Sequence, residues 1–363
     1  NSAVSGSPQS TLTTAEGFSG SITLGSVNAS AVQNVVLDLT TGGDILISSA
    51  KNSAVNTPQN PVMLAGKTVT IKGTDETTEA SPANVSTVTA PKLNVTAGDG
   101  VTITGSGAIP LIADDNGGEC AVTLNAGGDV EIVNKGGMAV FGPLTVTEAH
   151  NVTIGGGGTS LLYSANGVHC INASGTVKME SSGIVCSGND ANGLTITGAE
   201  TVDIAGESTS APVVTGMTLN ECGAATVTRL QCSDTMAPIA STVTSDIPVL
   251  LRNGSNDIEP QLLWDGEYYQ KAAVDDVYME PSSEAAVYYE AGDGYVMFSK
   301  TSDGTKTGTA NAVLLNAGST APIAGNLAEV KVIGENSLSE IQSLDEVGTK
   351  VSFTGNGTLH TFF

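Results

Sequence analysis

The sequence predicts an all-β chain wound as a right-handed single-stranded parallel β-helix with about 26 residues per coil. Three observations carry that prediction. A strand, glycine turn, strand unit recurs along more than half of the chain, clearest at Leu93-Asn94-Val95-Thr96-Ala97-Gly98-Asp99-Gly100-Val101-Thr102-Ile103-Thr104-Gly105. Within each copy apolar residues recur with period two, the strand period, and not with the 3.6 of a helix. The copies return at a nearly constant interval. A β-sandwich of hairpins would not produce that, whereas stacked coils bury an apolar face that one copy cannot bury alone.

Taken in order, residues 1–19 are rich in Ser, Thr and Gly and read as a flexible tail ahead of a cap. Ser21-Ile22-Thr23-Leu24 alternates like a first strand. Residues 20–252 read as the solenoid. The first apolar residue of the second strand in each copy is Ile45, Val69, Val101, Val130, Val152, Val177, Val202 and Val227, at intervals of 24, 32, 29, 22, 25, 25 and 25 residues. Two positions on lie Ile47, Ile71, Ile103, Ile132, Ile154, Met179 and Ile204, until Arg229 breaks the series and marks the end of regular coils. The preceding strand carries Leu37 and Leu39, Leu93 and Val95, Val122 and Leu124, Leu144 and Val146, and Leu194 and Ile196. Val62 and Leu64 join them if one turn is shorter by a residue. A third short strand follows several pairs, as at Met138–Phe141, Ser160–Tyr163, Gly183–Cys186 and Pro212–Val214. Loops vary most at Lys51–Pro61 and Gly73–Pro91.

Composition then changes. Residues 253–310 form a distinct acidic, aromatic β-rich unit that contains the sole Trp and six of the seven Tyr. Leu262–Tyr269 suggests a hairpin around Asp265-Gly266, and Ala286–Tyr289 with Tyr295–Ser299 suggests a second. Residues 311–363 read as further coils or a cap. Their segments Leu314–Ala317, Gly334–Ser337 and Thr354–Leu359 resemble strand and strand-end patterns of secreted parallel β-helix proteins of Gram-positive anaerobes described as carbohydrate-binding domain-containing. That resemblance covers about 50 residues. It implies an extracellular, non-catalytic protein that binds polysaccharide, with calcium as a candidate cofactor and none required.

Net charge is −24, with 13 basic residues. This disfavours nucleic acid and anionic membrane surfaces, which need basic partners. It suits divalent cations, neutral glycans or basic partners. No run of about 20 apolar residues is present to span a membrane. No signal peptide opens the sequence, which reads as a mature or trimmed form. The five cysteines are odd in number and lack a CxxC, so buried free thiols are expected, with Cys222–Cys232 as the candidate bridge. The repeat-rich, lysine-poor composition points to a protein on the outside of a bacterial cell; a monomer acting in adhesion, in glycan binding or as a surface spacer is expected.

Catalytic candidates are few. A divergent polysaccharide lyase would need carboxylates for Ca²⁺ and a basic residue, and the chain has only Arg229 and Arg252 as arginines. Asp114 and Asp115, with Glu119 nearby, are the best carboxylate pair and the candidate metal ligands, in a segment that also reads as a turn. His150, His169 and His360 fall at unrelated places, without zinc spacing. His169 takes an inward position normally held by Leu or Val. Gly155–Gly158 precedes no helix and so makes no phosphate cradle. Outward Thr and Asn rows form flat polar strips, with enough charged residues among them to argue against ice binding. The candidate carbohydrate-binding residues are Trp264, Tyr268, Tyr269, Tyr288, Tyr289 and Tyr295, whose faces stack on sugar rings.

Overall fold

The computed structural model describes residues 1–7, 9–74, 85–114, 118–165, 167–188, 193–208 and 212–230 continuously, and separate strands and short segments from 239 onward. The chain divides into two compact units, the first holding Asn1–Cys222 and the second most of the chain from Ser245 on. Among the described residues there is no helix, and so none long and apolar enough to cross a membrane.

The first unit is a parallel β-solenoid of about 8 turns and about 25 residues per turn. Each turn contributes a strand to each of three faces. The first face runs in register through Val4, Val32, Val55, Val88, Ile112, Val140, Leu162, Cys186 and Val214. On the second, Leu12, Leu37, Val62, Leu93, Val122 and Leu144 form one column. His169, Leu194 and Met217 continue it. The third face aligns Ile22, Ile45, Val69, Val101, Val130, Val152, Val177 and Val202. The anchors from Ile45 to Val202 therefore sit one above another, and the shorter turn assigned to the Val62 copy is present.

These columns are the core. Ile47, Ile71, Ile103, Ile132, Ile154, Met179 and Ile204 are all fully buried. Each such side chain contributes about 1.5–3 kcal/mol by leaving water. Where the third face turns back toward the first, the inward position is small or polar: Ser49, Gly105, Asn134, Gly156, Ser181 and Gly206. The bend leaves carbonyls inside, and these side chains satisfy some of them. Asn134 Nδ2 donates to the carbonyls of Ile109 and Met138 at 2.9 and 2.8 Å, and Ser49 Oγ donates to that of Ala29 at 2.8 Å. At Gly156 a Cβ would lie 2.7 Å from the Gly137 carbonyl oxygen, so a side chain there would collide with the adjacent coil.

Several expectations need correcting. Residues 1–19 are not simply a tail: Val4–Ser5 and Thr11–Thr13 pair in parallel with Val32–Gln33 and Val36–Asp38. Strands of two and three residues are too short to show periodicity in sequence. The strongest copy has no full break at its glycines. Lys92–Gly105 is one strand whose register shifts between Ala97 and Gly100. Strands of the first unit continue past Arg229 with Ile239–Ser245, which pairs with Val214–Asn220, whereas Val249–Asn253 belongs to the second unit.

The second unit is antiparallel. Val249–Asn253, Gln261–Trp264, Glu267–Lys271, Val277–Met279, Ala312–Leu315 and Pro322–Leu327 pair in that order. Ala285–Glu290 pairs with Val296–Ser299 and Thr358–Phe362 in a separate three-stranded sheet. Both hairpins read from sequence are present. The expected return of parallel coils is not what Ala312–Leu315 does, since alternating apolar residues serve a parallel or an antiparallel ladder equally. Gly334–Ser337 and most of 311–363 lie outside the described residues.

Candidate functional site

Of the candidate metal ligands, Asp114 and Glu119 are described and Asp115 is not. Asp114 follows the first-face strand Ile112–Ala113 and lines a cavity of about 470 Å³ with Asn56, Thr89 and Phe141. Its Oδ1 is buried and meets no hydrogen-bond donor. Glu119 points elsewhere. Its carboxylate accepts a hydrogen bond from Ser164 Oγ at 3.2 Å and another from the Ala165 backbone N–H, tying two turns together. Among the described residues no three His, Cys, Asp or Glu side chains gather to hold a metal.

Near Glu119 lies His169, 1% exposed, with neither ring nitrogen hydrogen-bonded. Burial holds its pKa down, from 6.5 to about 4, against a smaller upward pull from the Glu119 carboxylate. It is thus a neutral interior imidazole at neutral pH, as its column position predicts. His150 is exposed and its Nδ1 lies 3.2 Å from Ser174 Oγ. Arg229 is fully buried, its Nε donating to the Ser208 carbonyl at 2.8 Å.

The thiols divide. Cys120 and Cys186 are free and buried as expected, whereas free Cys170 is exposed. Burial pushes Cys120 and Cys186 up to about 12; the Asp114 charge adds to the effect at Cys120, and a hydrogen bond from the Leu93 backbone opposes it. Cys232 lies outside the described residues.

The aromatic candidates are split. Trp264 ends the strand Gln261–Trp264 in register with Glu267, and Tyr268 and Tyr269 pair with Leu263 and Leu262. Tyr288 and Tyr289 lie on Ala285–Glu290 of the other sheet. Tyr295 lies outside the described residues. Backbone pairing therefore places the five described residues in two separate sheets.

What the sequence did not reveal is how the outward rows sort by charge. On the third face they carry Lys72, Glu131, Lys178, Glu180 and Asp203. On the second face, past Asp38, they carry none. One outward column runs Met63, Asn94, Thr123, Thr145, Cys170, Thr195, Thr218. The other contains Ala65, Thr96, Asn125, Thr147, Asn172, Thr197 and Asn220. All of these residues are exposed or half-buried. Lys92 and Glu148 stand at the edges of the face, the latter at a register shift with φ 62°. Coils about 4.8 Å apart and alternate residues about 6.6 Å apart make this a regular array of hydroxyls and amides. The signal was legible strand by strand, but only the three-face register shows which rows are adjacent.

Compared with family models, curated proteins and solved structures, the chain has no match. Of the resemblance to secreted carbohydrate-binding β-helix proteins, the parallel β-solenoid is what the structure supports.

Proposed function

We propose that the protein is a non-catalytic, monomeric, extracellular or cell-surface solenoid that binds neutral polysaccharide and acts in adhesion. The observation that carries this reading is the pair of uncharged outward columns on the second face, from Met63 to Asn220, on a chain of net charge −24. Hydroxyl and amide side chains on a stiff repeat match the hydroxyls of an extended glycan without desolvating any charge. Binding is favoured over lyase or hydrolase chemistry because Glu119 is already committed to Ser164 and Ala165, and Arg229 is buried.

The test is co-sedimentation with insoluble cellulose, chitin and xylan. The protein is expected to pellet with at least one of them. Thr145→Lys/Thr195→Lys, which puts charge in the centre of the face, should lower the bound fraction about tenfold. A spacer without a ligand would stay in the supernatant throughout, and that result would retire the proposal.

A further inference from the structure

Gly155 is a glycine that the fold does not require. In the third-face strand Val152–Gly156 it occupies an outward position, in the column Ser48, Lys72, Thr104, Val133, Gly155, Glu180, Ala205. The column's other glycine, Gly25, is in the first coil. The neighbours of Gly155 in sequence have structural reasons to be glycine. A Cβ on Gly156 would strike the Gly137 carbonyl, one on Gly157 would press on the Lys135 carbonyl at 3.1 Å, and Gly158 has φ +97°. At Gly155 a Cβ would meet nothing nearer than the Val133 methyls at 3.7 Å, an ordinary contact. Glycine inside a strand weakens it and often marks a bulge, a bend or a place where a ligand approaches closely.

Gly155 lines a trough of about 490 Å³, within the range of about 300–1,000 Å³ typical of small-molecule sites. Its floor is the Gly155–Gly157 backbone with Val133 and Leu230, and Lys135, Lys178, Glu180 and Glu207 stand around it. The two ammonium groups and two carboxylates balance in charge. Lys178 Nζ lies 3.4 Å from Glu180 Oε2, and both side chains are more than half exposed. Such a pair is weakly held and easily re-aimed at hydroxyls.

We infer that this trough is a binding site for a neutral oligosaccharide. The apolar floor takes the C–H face of a sugar ring. The Lys178 ammonium donates to ring hydroxyls and the Glu180 carboxylate accepts from them, charge-assisted bonds of the stronger kind. An anionic sugar would meet two carboxylates within a chain of net charge −24. The site lies on the third face and does not depend on the reading given for the second.

Saturation-transfer difference NMR of the whole protein with cellotetraose, xylotetraose, chitotetraose and tetragalacturonate tests this. At least one neutral tetramer should receive magnetisation. Gly155→Val, which fills the trough, should reduce that transfer at least fivefold. Lys178→Ala/Glu180→Ala, at two exposed positions, should do the same and serves if Gly155→Val does not fold. Thr145→Lys/Thr195→Lys should leave the Gly155-dependent part of the transfer in place, which separates this site from the second face. Transfer to no neutral tetramer, to tetragalacturonate alone, or at wild-type strength in both trough variants would overturn the assignment.

Discussion

His169 lies in register with Leu194 on the next coil, in an interior column otherwise aliphatic from Leu12 to Met217. An imidazole there is tolerated only while uncharged. The unfolded chain takes up the proton near the ordinary value of 6.5, whereas the folded chain resists it down to about 4. Stability is therefore complete above about pH 6.5 and is lost as pH falls from there toward 4, by on the order of 3 kcal/mol from this residue. His169→Leu should remove that part of the acid sensitivity. Urea unfolding midpoints between pH 7.5 and 4.5 check it, with the difference between variant and wild type widening as pH falls. A constant difference would refute it.

The glycines make opposite predictions at two sites. A Cβ at Gly128 would overlap the carbonyl oxygen of Asp99 on the preceding coil, so Gly128→Ala should destabilise by about 2 kcal/mol or more. Gly155→Ala should be neutral or stabilise by up to about 1 kcal/mol, since only strand entropy changes. Thermal or urea unfolding of the two variants side by side distinguishes them.

Ile132 is fully buried between Ile103 and Ile154 on the third face. Its truncation leaves a void that stacked coils cannot close by moving one strand. Ile132→Ala should cost about 2–5 kcal/mol. Thr123→Ala on the second face, where the side chain is exposed, should change stability by less than about 0.5 kcal/mol.

Thiol chemistry should follow burial. Brief alkylation of the native protein at pH 8 should modify Cys170 and spare Cys120 and Cys186, both buried and held up to about 12. In denaturant all three should react. Peptide mass spectrometry reads the pattern, and rapid native labelling of Cys120 would contradict the register that places it inside.

The solenoid was legible because its core is written in one residue type at one spacing. Ile45 through Val202 recur at a nearly constant interval, and the structure stacks them in the same order. The antiparallel hairpin around Asp265-Gly266 was equally local, and Trp264 does pair with Glu267. Less legible was whatever depends on neighbours about 25 residues away. Nothing in Thr145 or Thr195 alone says that they flank Cys170 on a charge-free face. Likewise Gly155 looks like one member of a glycine run until Gly156–Gly158 are each explained by the backbone beside them. Cys170 and Cys186 look alike in sequence, yet the first points outward on the second face and the second inward on the first.

Cys170 also supplies the most direct probe of the proposed function, because it is a native thiol in the middle of the second face. The measurement is the rate at which a small maleimide labels it, with the protein free and with the protein bound to whichever insoluble polysaccharide it pellets with. Docking through the second face predicts at least a tenfold slowing in the bound protein. An unchanged rate in protein shown to be bound would mean that the glycan lies elsewhere and that the uncharged face is not the binding surface.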